Sequence, residues 1–180
     1  MREHRRALVV TLLVLGALAL AVIVVKVLET DDDSGSDAAG IPLAAFIARQ
    51  KPAQAPFEGL GEVRVTIGQD NCLRLAVADS LGERVAGLRN HTELGPYDGM
   101  VFVFQGPTEV GFTMSGVTVP LDIGFYGADG APVSHRLMKP CPDKAENECP
   151  VYRADGTFAY AVETLKDKLP SGPLRACRSS

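Results

Sequence analysis

The chain has 180 residues, 46% of them hydrophobic and 22% charged, which excludes a disordered chain, a collagen-like repeat and two large domains. The formal net charge is −4, but Arg2, Arg5, Arg6 and Lys26 against Glu3 leave residues 1–28 at +3 and the other 152 residues at −7. A globular part of that sign repels a phosphate backbone, so nucleic acid is not an expected partner.

Residues 7–25 form a 19-residue run whose only polar side chain is Thr11. At 1.5 Å per residue such a helix matches a hydrocarbon layer roughly 30 Å thick. Thirteen of the nineteen are Leu, Ile or Val, which favours insertion by roughly 4 to 8 kcal/mol before the smaller contributions. Arg2, Arg5 and Arg6 precede the run and Glu29, Asp31, Asp32 and Asp33 follow it, so the positive-inside rule keeps residues 1–6 cytoplasmic. The expected plan is a cytoplasmic flank 1–6, a transmembrane anchor 7–28, a linker 29–59 and an extracytoplasmic domain 60–180. Cleavage as a signal peptide is the alternative, because Ala17, Ala19 and Ala21 supply small residues at cleavage-like spacing. Both readings export the domain, anchored in the cell membrane or secreted.

The segment ETDDDSGSDAAG is acidic and without periodicity, as a solvated tether is. Residues 41–50 carry Leu43, Phe46 and Ile47 at helical spacing behind Pro42, which suits a short amphipathic helix or an unpacked stretch. From residue 62 the pattern is mainly strand. Val63, Val65 and Ile67 alternate, then Leu73, Leu75 and Val77, with turn chemistry between them, which predicts a hairpin. Ser80 and Glu83 form a capping-box pattern ahead of Leu81, Val85 and Leu88, which predicts a helix over 81–88 that Gly82 weakens. Further strands are expected over 100–104, 111–114, 121–126, 132–138 and 158–163. Short strands broken by glycine turns, with one or two short helices, predict a mostly β (α+β) fold: a small curled mixed sheet or partly closed barrel behind the single membrane helix.

Several motifs then recur in a fixed order: Arg84 to Leu88 (RVAGL), Gly99 to Phe104 (GMVFVF), Phe112 and Met114, Pro120 to Ile123 (PLDI), Asp129-Gly130, Pro140-Cys141, Cys149-Pro150, Tyr152, and Tyr160 to Glu163 (YAVE). This ordered string resembles the bacterial and archaeal family called domain of unknown function 192, over residues 62–174. The resemblance implies a compact β-rich domain, often exported, and brings no agreed enzymatic activity. The chain departs from the family pattern at Arg89, where members usually have Met. It departs again at Thr113, Met114, Ser115, Gly116 and Val117, where they usually have an aromatic residue, Met, a basic residue, Asn and Thr.

Four cysteines in an exported domain suggest two disulfides. Cys141 and Cys149 bracket a seven-residue loop and are the preferred pair, which leaves Cys72 with Cys177; the other two pairings stay open at this point. Neither C-x-x-C nor paired-histidine spacing occurs, so neither metal nor cofactor is expected. Arg84 shares a helix face with Leu81 and Leu88, and Asp122 lies inside an apolar stretch. Two readings follow: a buried ion pair of Arg84 with Asp122, or with Glu163 in its place, and a ligand cleft along Arg84, Met100, Met114 and Asp122. His91, His135, Ser115 and Ser134 lack any activating frame. The expected function is thus a non-catalytic binding or assembly module of the cell envelope, whose partner is an envelope protein or a small ligand; the alternative is a hydrolase-like enzyme with a cleft near Asp122 and Met114.

Overall fold

The computed structural model describes residues 42–68 and 72–177. The expected anchor 7–28, the tether through residue 41 and the hairpin turn 69–71 lie outside the described residues, among which no helix is long and apolar enough to cross a membrane. Helix α1 (Leu43–Ile47) and the two-residue β1 (Lys51–Pro52) lead into β2 (Gly61–Ile67) and β3 (Cys72–Ala78). Helix α2 (Leu81–Ala86) is followed by β4 (Gly99–Thr108), β5 (Phe112–Thr113), β6 (Leu121–Tyr126) and β7 (Pro132–Met138). A single 3-10 turn (Glu146–Glu148), β8 (Val151–Tyr152), β9 (Phe158–Leu165) and β10 (Leu174–Ala176) complete the order.

Eight strands form one mixed sheet in the order β1-β2-β3-β4-β9-β6-β7, and β10 joins the outer edge of β2 beyond β1. β2 and β3 make the expected antiparallel hairpin, with Val63 opposite Leu75 and Val65 opposite Leu73. β3 and β4 are parallel neighbours, which no tight turn can join, so α2 and the segment after it form the crossover. The sheet is mostly β and mixed, as expected, but it stays open. β10 returns to the β2 edge, and among the described residues no strand bridges from there to β7, so the sheet does not close into a barrel. β5 and β8 pair separately, Phe112 opposite Tyr152.

Apolar side chains cover both faces of the sheet. One core holds Met100, Phe102, Met114, Ile123, Phe125, Phe158 and Ala161; the other holds Val65, Leu75, Val77, Val101, Tyr160 and Val162. Neighbours along one strand alternate between the two, as a period of two requires. β6 is buried along its whole length because it lies between β9 and β7 with both faces covered. Burying each large side chain of this kind contributes about 1.5–3 kcal/mol.

The folded part starts well upstream of residue 60, where the linker was expected to end. Leu43 and Ile47 of α1 are buried in the second core, β1 pairs with Gly61 and Glu62, and Phe57 is buried in the first core. Close by, Glu62 accepts from Arg74 and from the Tyr97 hydroxyl (2.8 Å), and that hydroxyl accepts from the Gln54 amide at 2.7 Å. Burial raises the Glu62 carboxyl, but the hydrogen bonds from Arg74 and Tyr97 outweigh it and hold the group below its ordinary range.

Both preferred disulfides are present. Cys141–Cys149 closes its short loop with Cα atoms 6.0 Å apart, and Cys72–Cys177 ties β3 to the segment after β10 at 5.6 Å. Each separation is within the range a disulfide spans.

Candidate functional site

The capping box at the start of α2 forms as expected: Ser80 accepts from the Glu83 amide, and the Glu83 carboxylate accepts from the amides of Ser80 (2.8 Å) and Asp79 (3.0 Å). Backbone hydrogen bonds to Ser80 and Asp79 lower the Glu83 carboxyl against the upward push of burial. The helix runs for only six residues and ends at Gly87, whose positive φ turns the chain so that Leu88 enters the core. The apolar stripe does not face inward along its length. Leu81 is 73% exposed and Val85 57% exposed, while Leu88, past the end of the helix, is buried.

That orientation leaves a cavity of about 250 Å³ between α2 and the sheet. Its walls include Phe102 and Phe104 of β4 and Phe112 of β5; Leu81, Val85 and Val110 stand around it as exposed apolar side chains. The phenyl rings are fixed by edge-on packing, Phe102 to Phe112 at 5.1 Å and Phe104 to Phe158 at 5.4 Å. Four charged residues also line it: Arg84, Arg89, Glu146 and Glu163.

Glu163 lies in β9 between Met100 of β4 and Ile123 of β6, on the same face as Phe102. It is only 5% exposed, and no ion pair or hydrogen bond holds its carboxyl among the described residues. Burial alone pushes it up to about 8, so the group is largely a neutral acid at pH 7. Arg84 is half-buried. Its guanidinium donates to the carbonyls of Asp79 and Val103 (2.9 Å to the latter) and stands 5.0 Å from the centre of the Phe104 ring. It has no carboxylate partner among the described residues. Arg89 and Glu146 pair with each other at 3.1 Å.

Of the residues singled out from sequence, Arg84 and Glu163 therefore share one cavity without forming an ion pair. Met100 and Met114 are fully buried in the adjoining core. Asp122 is elsewhere: its carboxylate accepts from the Asp167 amide at 2.6 Å and lies 3.4 Å from His135 Nε2. It does not pair with Arg84. His91 packs against Phe57 with the ring centres 4.7 Å apart and the planes tilted by 45°, Ser134 accepts from the Asp155 amide, and the Ser115 backbone forms a β-bridge with Cys141. Sequence reasoning did not anticipate Glu146 or Val85 in the cavity. The signals nearest to it were the departures from the family pattern, since Arg89, Thr113 and Val117 all line this wall and Gly116, at a positive φ of 74°, lies beside the Arg89 stem.

Among the described residues no histidine, cysteine or serine lines the cavity, and Thr113 is the only hydroxyl in its lining. Among the described residues no cluster of His, Cys, Asp and Glu could hold a metal ion. The arrangement can enclose a small apolar group and offer it one buried acid and one guanidinium.

Residues 63–170, more than half of the chain, match the family profile of DUF192, described as "Uncharacterized ACR". Two solved structures are similar. A protein of unknown function from Novosphingobium aromaticivorans DSM 12444 is 25% identical, with a TM-score of 0.57, covering 71% of this chain and 94% of its own. A proposed transcription regulator from Sinorhizobium meliloti 1021 is 20% identical, with the same TM-score, covering 64% of this chain and 94% of its own, and the likeness is one of fold. No curated protein matches.

Proposed function

The chain belongs to the DUF192 family, and from that premise we propose that it is a non-catalytic ligand-binding module of the cell envelope, anchored by residues 7–28 and displayed outside the cytoplasm. The observation that carries the reading is the cavity beneath α2. It is concave and mostly apolar, with a few polar groups converging on it, as small-molecule sites generally are. At about 250 Å³ it lies just below the roughly 300–1,000 Å³ of drug-sized sites, which suits a small ligand. Glu163 is buried, the other lining carboxylate, Glu146, is taken up by Arg89, and the described lining holds neither a serine nor a cysteine nucleophile, which supports binding over hydrolysis.

The 19-residue apolar run, the arginines before it and the acidic residues after it support the anchor and its orientation. Two disulfides support an oxidising compartment. The net −7 beyond residue 28 weighs against a nucleic-acid partner.

A fragment library screened by saturation-transfer NMR against the full chain in phospholipid nanodiscs tests the binding role. Hits are expected with the native chain and are expected to fade in Val85→Trp, which places a large ring at an exposed helix position over the cavity. Hits indifferent to that substitution would move the site elsewhere. For the anchor, carbonate extraction of host membranes should leave the chain in the pellet; a soluble mature protein beginning near Leu20 or Val22 would show cleavage.

A further inference from the structure

We infer that the cavity beneath α2 takes a small organic acid: an apolar body seated on the phenyl walls, its carboxylate held by Arg84 and hydrogen-bonded by Glu163. The inference rests on the binding reading above and names the ligand class of that same cavity. Three observations point the same way.

First, Glu163 is a buried polar side chain that lines the cavity without a partner among the described residues. An acid buried among Met100, Ile123 and phenyl rings sheds its charge, and a neutral carboxyl has one O–H to donate. The natural complement of that donor is an acceptor, and an anionic acceptor gives the stronger bond. Second, Arg84 is held in place by two backbone carbonyls and the Phe104 ring, yet no carboxylate balances it among the described residues. A guanidinium has five donors, and the hydrogen bonds to Asp79 and Val103 both leave from Nη1, so donors on Nε and Nη2 remain. Third, the charge of the cavity favours an anion. Arg89 and Glu146 cancel as a pair, Glu163 is neutral, and Arg84 leaves one positive charge. The elements beside Glu163 add no other charge to the lining, since β4 and β6 present Met100 and Ile123 at its flanks. An ammonium ligand would have to ionise Glu163 inside an apolar cavity with Arg84 already present.

The test is isothermal titration of the full chain in nanodiscs with three ligands of one chain length: hexanoate, hexanamide and hexylamine. At pH 6.5 hexanoate is expected to bind tightest. Its affinity should fall about tenfold between pH 6.5 and 9 as Glu163 ionises beside it, and binding at pH 8 should take up protons, seen as a heat that depends on the buffer. Glu163→Gln keeps a neutral donor and should bind hexanoate without that decline. Arg84→Gln should weaken hexanoate at least tenfold and hexanamide much less. Tighter binding of hexylamine, with affinity rising with pH, would overturn the inference in favour of an amine. Equal binding of all three would reduce the site to an apolar cavity. If none of the three binds while library fragments still report on Val85, the ligand class is wrong and the binding reading stands; if neither does, both fail.

Discussion

Arg89 and Glu146 meet at 3.1 Å on the cavity wall and join the segment after α2 to the loop that Cys141 and Cys149 close. The carboxylate is 60% exposed, so the pair contributes at most about 1 kcal/mol and acts mainly to position the loop. The disulfide does more for stability. Its partners are 8 residues apart against 105 for Cys72–Cys177, and loop-closure entropy then gives about 2–3 kcal/mol for the short bridge and about 4–5 for the long one. Paired Cys→Ser variants compared by urea unfolding should rank in that order, and the reverse ranking would show that chain entropy does not govern either bridge.

Glu163 makes stability depend on pH in an unusual direction for a carboxylate. Its folded value is raised from 4.5 to about 8, so the folded chain holds a proton the unfolded chain has released between those values. The stability is therefore complete below pH 4.5, declines as pH rises toward 8, and levels off above it. At 1.36 kcal/mol per unit the decline is at most roughly 5 kcal/mol. Urea midpoints at pH 5, 7 and 9 should fall for the native chain and change much less for Glu163→Gln; parallel slopes would mean that Glu163 keeps its charge in the fold.

Arg84 and Asp122 should behave as independent sites, since each is held by different groups. Asp122→Ala leaves the Asp167 amide without its acceptor and should cost about 1–3 kcal/mol. Combined with Arg84→Gln in a double-mutant cycle, the two effects should add to within about 0.5 kcal/mol. A coupling of 2 kcal/mol or more would restore the ion pair expected from sequence.

Gly99 permits the close pairing of β4 with β9 that brings Glu163 beside Met100. A Cβ at this position would lie 2.0 Å from the Glu163 carbonyl oxygen, which is backbone and cannot step aside. Gly99→Ala should cost about 3 kcal/mol or more, whereas Gly106→Ala, on the same strand with nothing within 4 Å, should be nearly neutral in thermal unfolding. Equal tolerance of both would place the β4–β9 register in error.

The strands were legible in sequence where one physical signal was sufficient. β6 and β7 span the residues expected, because apolar periodicity and the Asp129-Gly130 turn both act locally. The Ser80–Glu83 cap was legible for the same reason. The burial of α1 was not, since Leu43 and Ile47 pack near β10, more than 120 residues away, and a Pro-containing stretch reads as tether. Helix α2 showed its period but not its orientation, because a stripe of Leu81, Val85 and Leu88 looks alike whether it faces a core or rims a cavity. Glu163 was named from sequence only as a substitute for Asp122 in an ion pair with Arg84. Its place beside the cavity depends on the β3–β4–β9 order, which no local pattern encodes.

The most direct measurement is methyl-labelled NMR of the full chain in nanodiscs, titrated with the fragments that bind. The methyl signals of Leu81, Val85, Val110 and Val117 should move together and saturate with a single dissociation constant, while Leu137, on the β7 edge near Asp122, stays still. Saturable shifts centred on Leu137, or none at the four cavity methyls, would contradict a ligand site beneath α2.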